Sequence, residues 1–410
     1  MSPHAITQLE PGFTLTQLEK PVGSKYDFGA VVEGLDLNSI TDADVKALAD
    51  AIWTHKVVVV KGQKDLAPIK QATNTNPTVG TSNPLRPQRP PSALPRRHQV
   101  LQPKGGVLSA AREVLGIPGA ENVRLIGKGY QGADHYGIQD KTLHKALSHD
   151  FHAKPLPDAE FAEGFTRFQR WHMDAPLYGP RDPAWFTTLR CCRRPCADAD
   201  ANKPVTIRWD DGSGLEMESE PGLTAFFSNV QTYGLMTPEE QRMADHSWVE
   251  YAPHPYMWIA DCRGRPNGLG LETEGRERKM DEDLGDFDPA AVKRYPMVWL
   301  NPVTGEKAFQ VHGICARKLF LRSSLAEKAR VLDDVAEIRA FLKRIQERVL
   351  RPEYILLPRL DEGDIVMWAN YQMFHTAVDY PISMGPRTMH QANIGASVGP
   401  RGPVPIPAET

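Results

Sequence analysis

Apolar and polar residues alternate over residues 26–37, YDFGAVVEGLDL, and then change to a helical spacing. The alternation predicts a strand with one buried face. Over residues 39–56, Thr41 can cap a helix and Asp44 can complete a capping box. The apolar face predicted for this helix consists of Val45, Leu48, Ala49 and Ile52.

Further elements follow the same two periodicities. The β-branched run at 57–63, VVVVKGQ, predicts a buried strand. Thr237, Pro238 and Glu240 form a helix start, with a cap, a proline at the first position and a closing carboxylate. A second clear helix is predicted over 334–350, with an apolar face made of Val335, Ile338, Phe341, Leu342, Ile345 and Val349.

The carboxyl-terminal part of the chain predicts short strands separated by turns, in the stretches YILLPRL, GDIVMWAN, MFHTAVDY and RTMHQANIGAS. These predicted strands favour a β-rich chain, and 410 residues fit a single large β-rich domain with insertions as well as two domains. We treat residues 1–410 as a single domain, because no internal repeat or linker divides the chain.

Two segments differ from the rest in composition. Residues 68–105 are dense in proline, arginine, asparagine and glutamine, and proline at this density opposes helix and sheet alike. Residues 189–203, LRCCRRPCADADANK, interrupt a predicted strand. We interpret both segments as atypical loops, with errors in the gene model as a hypothesis that sequencing the transcript would test. Residues 235–300 are interpreted as an insertion.

Composition narrows the class of protein. The chain has 41% hydrophobic and 24% charged residues and a formal net charge of −3, which is ordinary for a globular protein. This balance gives no reason to expect nucleic acid or a membrane as a partner. The amino terminus lacks the pattern of a secretory signal and no long apolar run occurs, so we expect a cytoplasmic protein that acts on a small molecule.

The five cysteines raise the question of a zinc site. Cys191, Cys192 and Cys196 lie close together, but Cys262 and Cys315 supply no second C-x-x-C element. An odd number of cysteines in a long chain favours a reducing compartment over a disulfide framework. A zinc site is the weaker interpretation.

The stretch RFQRWHMDAPLYGP places His172 and Asp174 two positions apart. On an extended chain such residues point to the same side, where two metal ligands can act together. Non-haem iron oxygenases hold Fe(II) with two histidines and one carboxylate, and His375, beside an apolar strand, can supply the second histidine. The alternative is that each histidine is simply a hydrogen-bonded core residue.

Arg387 follows His375 in GPRTMHQANIG. A guanidinium pairs bidentately with a carboxylate, as a site for a dicarboxylic co-substrate requires. Taken alone, Arg387 could equally be an arginine on the rim of a barrel. A binding protein without catalysis would have no reason to keep this clamp beside the triad.

The ordered set of H-x-D, histidine and arginine, with the amino-terminal pattern at 28–63, resembles the TauD/TfdA family of Fe(II)/2-oxoglutarate-dependent dioxygenases. The resemblance implies a mainly β fold with flanking helices, a double-stranded β-helix or cupin-like jelly roll, with His172, Asp174 and His375 as catalytic metal ligands. It further implies that Arg387 binds the distal carboxylate of 2-oxoglutarate. Thr206 is implied as a hydrogen-bonding partner of the same co-substrate.

One departure refines the resemblance. Many taurine-type members carry a second arginine four residues after the first, whereas this chain has Gln391 there and Asn393 two residues later. That pattern resembles the fungal branch that hydroxylates xanthine to uric acid, and it implies Lys145 and Glu160 near the substrate. Carboxamides offer both a donor and an acceptor to a purine edge.

The remaining alternatives stay open at this point. Another TauD-type dioxygenase could act on a sulfonate, an amino acid or a different metabolite, and a cupin-like protein could bind without catalysis. A relative inactivated by the segment at 68–105 is a third possibility. Asp174 argues against a halogenase, which needs the position of the carboxylate open. Trp171 and Tyr178 could stack on a substrate but are better explained as core residues.

Overall fold

The computed structural model describes residues 12–73, 115–143, 151–174, 183–195, 203–284, 286–289, 292–396 and 398–407. Within these ranges, strands outnumber helices, as predicted. The helices are α1 (Asp42–His55), α2 (Pro68–Thr73), α3 (Asp158–Glu163), α4 (Asn229–Gly234), α5 (Pro238–His246), α6 (Pro255–Trp258), α7 (Met280–Asp283) and α8 (Val335–Gln346).

The strands are short and are labelled here in chain order. They are β1 (Thr14–Gln17), β2 (Ala30–Glu33), β3 (Val57–Val60), β4 (Leu115–Ile117), β5 (Ala120–Tyr130), β6 (Asp134–His135), β7 (Ile138–Gln139), β8 (Thr142–Leu143), β9 (Phe165–Thr166), β10 (Phe186–Arg193), β11 (Val205–Arg208), β12 (Glu216–Ser219), β13 (Thr224–Ser228), β14 (Trp248–Tyr251), β15 (Arg294–Pro296), β16 (Val298–Leu300), β17 (Lys307–Phe309), β18 (Ala316–Leu321), β19 (Arg330–Leu332), β20 (Ile365–Ala369), β21 (Met373–Ala377) and β22 (Arg387–Ile394).

One large sheet forms the framework of the molecule. Its strand order is β1-β2-β3-β20-β10-β22-β5-β4, and β8 pairs with β5. The pairs from β3 to β4 are antiparallel, whereas β2 and β3 are parallel neighbours on either side of α1. Strands distant in sequence are therefore adjacent in the middle of this sheet.

A small sheet of β13 and β21 carries His375, one of the predicted metal ligands. Phe226 lies opposite His375 in this antiparallel pair. On the free side of β21, the segment before residue 174 forms isolated bridges, Phe168 with Val378 and His172 with His375. The predicted metal ligands lie where this small sheet meets the large one.

Helix α1 shows how the sequence produces the core. Thr41 and Asp44 form the capping box that the sequence predicts, and the chain leaves the helix at Lys56, whose φ is 65°. The buried residues include Leu48, Ala49 and Ile52, as predicted, and also Ala51 and Trp53. The Trp53 ring contacts those of Trp185, Phe186 and Tyr371, which joins α1 to the large sheet.

Other predicted elements have their own outcomes. The capping box of α5 is present, with Thr237 and Glu240 bonded reciprocally. Helix α8 begins after its cap Asp334 and buries Ile338, Leu342 and Ile345. Both predicted helices are confirmed. They could be predicted because capping and apolar periodicity depend on residues close together in the sequence.

Three predicted boundaries are wrong. The strand predicted over 26–37 is confined to β2, because the chain turns at Gly29 and Gly34, where φ is 107° and 86°. The interruption expected at residue 189 does not occur, since β10 continues through Arg193 between β20 and β22. Residues 354–360 contribute only a single bridge, at Leu356.

The atypical segments fall only partly within the described residues. Residues 68–73 form α2, and Gln71 donates from Nε2 to the carbonyl of His390 on β22 at 2.8 Å. Residues 74–105 lie outside the described residues. Within 235–300, β14 and β15 belong to a four-stranded sheet with the order β15, β14, β18 and β19. Helix α5 packs beside this sheet.

Candidate active site

The main chain holds two imidazoles side by side. The amide of His172 donates to the carbonyl of His375 at 3.1 Å, and the amide of His375 donates back at 3.0 Å. The two rings have centroids 4.3 Å apart. This reciprocal pair brings together residues from two distant parts of the chain, so the positions of both side chains are set by backbone hydrogen bonds.

Asp174 completes the group. Its main chain is bonded on both sides by Asn370, whose Oδ1 accepts from the Asp174 amide at 2.8 Å and whose Nδ2 donates to the Asp174 carbonyl at 2.8 Å. His172 Nε2 lies 3.8 Å from Asp174 Oδ1, and His375 Nε2 lies 3.5 Å from Asp174 Oδ2. One ligand atom from each of the three residues lies within 4.8 Å of the others.

The two histidines are held in the form that binds a metal. Burial lowers the pKa of His172 well below its usual value, and the neighbouring His375 lowers it further. Burial also lowers the pKa of His375, against an opposing effect of Asp174. His172 Nδ1 lies 2.8 Å from the carbonyl of Arg170, so it is the protonated nitrogen and Nε2 keeps its lone pair.

These residues fit Fe(II). Metal–ligand bonds of about 2.0–2.2 Å require neighbouring ligand atoms roughly 3 Å apart, and the atom pairs seen here, at 3.5 and 3.8 Å, reach that spacing with small side-chain movements. Two neutral imidazoles and one carboxylate form the facial donor set of non-haem iron oxygenases. His375 is 5% exposed and Asp174 is 6% exposed, whereas the His172 side chain is 23% exposed, so His172 is the most accessible of the three candidate ligands.

Arg387 is a candidate anion-binding group beside the predicted metal ligands. The side chain is buried, and its Nη2 donates to Thr224 Oγ1 at 3.4 Å. No carboxylate in the described part of the chain forms an ion pair with it. The guanidinium and Thr224 line a cavity together with residues that are mostly apolar, among them Cys191, Leu360, Val366 and Met389. A buried cation beside a cavity is a receptor for a carboxylate.

Thr224, and not the predicted Thr206, is the hydroxyl that the structure places beside Arg387. Thr206 lies on β11, opposite Phe165 of β9, and no described contact joins it to Arg387. Thr224 instead begins β13, next to β21, which brings its side chain to Arg387. The signal in the sequence is the turn Pro221–Gly222 before the apolar strand TAFFS, which the prediction did not use.

The residues predicted to bind substrate are largely engaged with the protein. Glu160 forms an ion pair with Arg208. Gln391 Nε2 donates to Asp174 Oδ2 at 3.0 Å, and its Oε1 accepts from Arg124 Nη2 at 2.6 Å. Asn393 Oδ1 accepts from Thr187 at 3.2 Å.

The remaining predicted residues are divided between the core and the undescribed segments. Lys145, Tyr178 and Cys196 lie outside the described residues. Trp171 is a core residue, 1% exposed, in contact with Phe168 and Phe227. Among the described residues, His172, Asp174 and His375 are the only group of three or more potential metal ligands, so the structure gives the cysteines no zinc site there.

The fold and this arrangement define the class of mononuclear non-haem metal enzymes with a two-histidine, one-carboxylate centre. The family model described as "Taurine catabolism dioxygenase TauD, TfdA family" matches residues 17–393. The chain belongs to this family. It is an enzyme that depends on Fe(II) and on 2-oxoglutarate, also called alpha-ketoglutarate.

Two curated relatives extend this result. The chain is 41% identical over 387 residues to the alpha-ketoglutarate-dependent dioxygenase bsc9 of Alternaria brassicicola, covering 93% of this chain and 94% of the relative. It is 35% identical over 395 residues to the alpha-ketoglutarate-dependent xanthine dioxygenase xanA of Emericella nidulans, covering 95% of this chain and 98% of the relative.

A solved structure supports the fold. The crystal structure of AAD-2 in complex with Mn(II) and N-oxalylglycine matches with a TM-score of 0.54 and 18% identity, covering 96% of this chain and 99% of that one. At this identity the likeness concerns the fold alone. In the described part of the chain, the helices are too short or too polar to cross a membrane.

Proposed function

We propose that His172, Asp174 and His375 hold the Fe(II), that Arg387 and Thr224 bind the distal carboxylate of 2-oxoglutarate, and that the enzyme hydroxylates a small organic molecule. When bound, Fe(II) supplies the activation of oxygen that couples conversion of 2-oxoglutarate to succinate and CO2 with insertion of one oxygen atom into a C–H bond. The observation that carries the proposal is the convergence of the three ligand atoms within 4.8 Å.

The protein groups have distinct tasks in this proposal. Arg387 neutralises the distal carboxylate and the Thr224 hydroxyl donates to it, which fixes the orientation of the co-substrate. The apolar side chains Leu360, Val366 and Met389 around that cavity exclude water. Asn370 holds the main chain of Asp174, so the carboxylate does not have to be ordered when the metal binds.

Xanthine, converted to uric acid, is the substrate we propose to test first. Support comes from the resemblance to the fungal xanthine-hydroxylating branch and from the identity with a relative named as a xanthine dioxygenase. In this proposal Lys145 stabilises an anionic purine by its charge, while Glu160 and Asn393 offer polar groups to the purine edge. Purine metabolism and a cytoplasmic location belong to the same proposal.

A second candidate is a different small molecule. The relative with 41% identity has a name that states no substrate, whereas the xanthine dioxygenase is 35% identical. Both ends of the Gln391 carboxamide are bonded within the protein, which leaves it unavailable to a purine. These two observations favour a substrate other than xanthine within the same reaction class.

The two candidates are separated by one assay. Protein is loaded anaerobically with Fe(II) and 2-oxoglutarate, mixed with oxygenated buffer with or without xanthine, and analysed for urate and succinate together. Equal amounts of urate and xanthine-dependent succinate support xanthine hydroxylation. Succinate without urate retains the dioxygenase and rejects xanthine, and absence of both products rejects xanthine in favour of the second candidate, because succinate formation is coupled to oxidation of the true substrate.

The architecture is part of the proposal. We infer that the large sheet and the β13–β21 sheet are the two halves of a double-stranded β-helix, since His375 lies on β21 while Arg387 and Gln391, on β22 of the large sheet, reach Thr224 and Asp174. The single domain spanning 1–410, the insertion at 235–300 and the gene-model origin of 68–105 and 189–203 remain predictions of the sequence.

A further inference from the structure

Gln391 connects a cation to the carboxylate of the metal centre. Gln391 lies directly opposite Arg124 in the antiparallel pair of β22 and β5. Arg124 Nη2 donates to Gln391 Oε1 at 2.6 Å, and Gln391 Nε2 donates to Asp174 Oδ2 at 3.0 Å. The three side chains form one continuous chain of hydrogen bonds from β5 to the centre.

The orientation of the carboxamide follows from its partners. A guanidinium has only donors, so the group that faces Arg124 must be the amide oxygen. An ionised carboxylate only accepts, so the group that faces Asp174 must be the NH2. Arginine and aspartate thus demand opposite ends of the same amide, and glutamine at position 391 satisfies both.

This chain of bonds has an electrostatic consequence. Arg124 forms no ion pair with a carboxylate in the described part of the molecule, so its closest described contact with a negative charge runs through Gln391. A charged donor polarises the amide and strengthens its bond to the carboxylate. Gln391 holds Asp174 Oδ2, which also lies 3.5 Å from His375 Nε2, and this bond leaves Oδ1, 3.8 Å from His172 Nε2, as the carboxylate oxygen without a described hydrogen bond.

A role in recognising substrate does not fit this geometry. Gln391 is 7% exposed, and both polar ends of its side chain already have partners. Asn393, on the same face of β22, is half-buried and bonds only through Oδ1 to Thr187 among the described residues. The two carboxamides therefore differ in what they contact.

We propose that Gln391 is a positioning residue that fixes the carboxylate of Asp174 for monodentate metal binding, with Arg124 polarising its amide, and that it does not read the substrate. The inference rests on the proposed metal centre and is independent of the identity of the substrate. Partners of this kind around a metal ligand alter metal affinity by about 10–100-fold when removed.

The test measures metal binding without turnover. Metal-free full-length protein is titrated anaerobically with Co(II), which accepts the same nitrogen and oxygen ligands as Fe(II), and the affinity and the visible absorption spectrum of the bound ion are recorded. The variants are Gln391→Met, which keeps the size and removes both bonds, and Arg124→Met, which removes only the polarising cation. The matched control is Asn393→Leu, which removes a carboxamide from the same strand face.

The variants should differ from one another in Co(II) affinity in a defined order. Gln391→Met binds Co(II) about 10–100-fold more weakly than wild type, Arg124→Met loses less, and Arg124→Lys recovers part of that loss because it restores the cation. The Co(II) spectrum shifts in Gln391→Met, whereas Asn393→Leu keeps wild-type affinity and spectrum. Circular dichroism shows whether each variant is folded, and Arg124→Met carries the test if Gln391→Met does not fold.

Two outcomes overturn the inference. Wild-type Co(II) affinity and an unchanged spectrum in folded Gln391→Met, with weakened binding of substrate, would assign Gln391 to the substrate instead. Absence of Co(II) binding in the wild-type protein would remove the metal centre itself and the inference with it. A loss of xanthine hydroxylation alone, with Co(II) binding following the expected order, rejects the substrate and leaves the positioning role intact.

Discussion

His172 and His375 exchange two backbone hydrogen bonds and thereby form an antiparallel pair between segments that are distant in the sequence. The pair sets the two imidazoles at a ring spacing of 4.3 Å before any ion is bound. Preorganisation of this kind means that metal binding orders few side chains. The centre therefore depends on correct pairing of β21 as much as on the ligands.

Arg387 is predicted to determine the affinity for 2-oxoglutarate. Removing one partner of a buried charged pair costs about 2–5 kcal/mol, which corresponds to a rise of about 30-fold or more in KM. Arg387→Met should show this rise in KM for 2-oxoglutarate, measured by succinate formation, and Thr224→Val should show a smaller one.

Arg194 provides the control for Arg387. Its guanidinium lines the same cavity but is already paired with Glu220 at 2.6 Å. Arg194→Met should change KM by less than about threefold, because an ion pair that is partly exposed contributes little. Equal effects of the two substitutions would show that the co-substrate carboxylate does not lie at Arg387.

Gly222 is predicted to be required for space beside Arg387. A Cβ at this position would lie 2.8 Å from Pro195 Cγ and 3.1 Å from Arg387 Cδ. Gly222→Ala should unfold at a lower temperature, with an overpacking cost of about 1–3 kcal/mol, and should weaken 2-oxoglutarate binding.

Gly214 provides the control that distinguishes crowding by an added Cβ from backbone strain. Its φ of 69° is close to the 74° of Gly222, but a Cβ added to Gly214 would meet no described atom within 4 Å. Gly214→Ala therefore carries the strain without the clash. Equal losses of Tm in the two alanine variants would contradict the packing argument.

Lys128 and Asp379 form a buried ion pair behind the Arg387 subsite, with Nζ 3.0 Å from Oδ1 and side-chain exposures of 8% and 3%. Lys128→Met leaves the carboxylate buried without its partner, which should lower the free energy of unfolding by about 3–5 kcal/mol. Urea unfolding measures the loss. Lys46→Met breaks an exposed pair with Asp50 and should cost less than about 1 kcal/mol.

His152 is predicted to make the fold sensitive to acid. Burial lowers the pKa of this histidine to about 4, although its bond to the Phe168 carbonyl opposes the shift. The unfolded chain, with a pKa of about 6.5, binds a proton that the folded state does not accept. Stability is therefore full above about pH 6.5 and falls as the pH decreases towards 4.

The expected size of this effect at pH 5 is about 2 kcal/mol from His152 alone. Urea unfolding of wild type and His152→Gln between pH 7 and pH 5 measures it, since glutamine can keep a donor to the Phe168 carbonyl but does not titrate. The slope of the unfolding free energy against pH gives the number of protons taken up on unfolding, and this number should be smaller in the variant by roughly one. Identical slopes would show that His152 is not buried as a neutral group.

Local features of the fold could be predicted from the sequence. The boundaries of α1 and α5 followed from capping boxes at Thr41 and Thr237, because a cap is a contact between residues three apart. The buried run at 57–60 became β3 in the middle of the sheet. Strand ends at residues 26–37 were missed, since glycine turns rather than hydrophobic periodicity determine them.

Candidate site residues that lie close together in the sequence could be predicted from their spacing, whereas contacts that depend on the pairing of distant strands could not. His172 and Asp174 are two residues apart, so one pattern indicated both candidate ligands, which the structure brings together with His375. Thr224 reaches Arg387 because β13 pairs with β21, and Gln391 reaches Asp174 because β22 faces the segment before residue 175. Such non-local contacts leave no periodicity in the sequence.

Convergence of His172, Asp174 and His375 on one Fe(II) can be measured by calorimetric titration of metal-free protein with Fe(II) under anaerobic conditions in the presence of 2-oxoglutarate. We expect one binding site per chain in wild type and a loss of affinity of more than about a hundredfold in Asp174→Ala and in His375→Ala, because even outer partners of metal ligands are worth about 10–100-fold. Wild-type affinity in either folded variant would contradict this convergence.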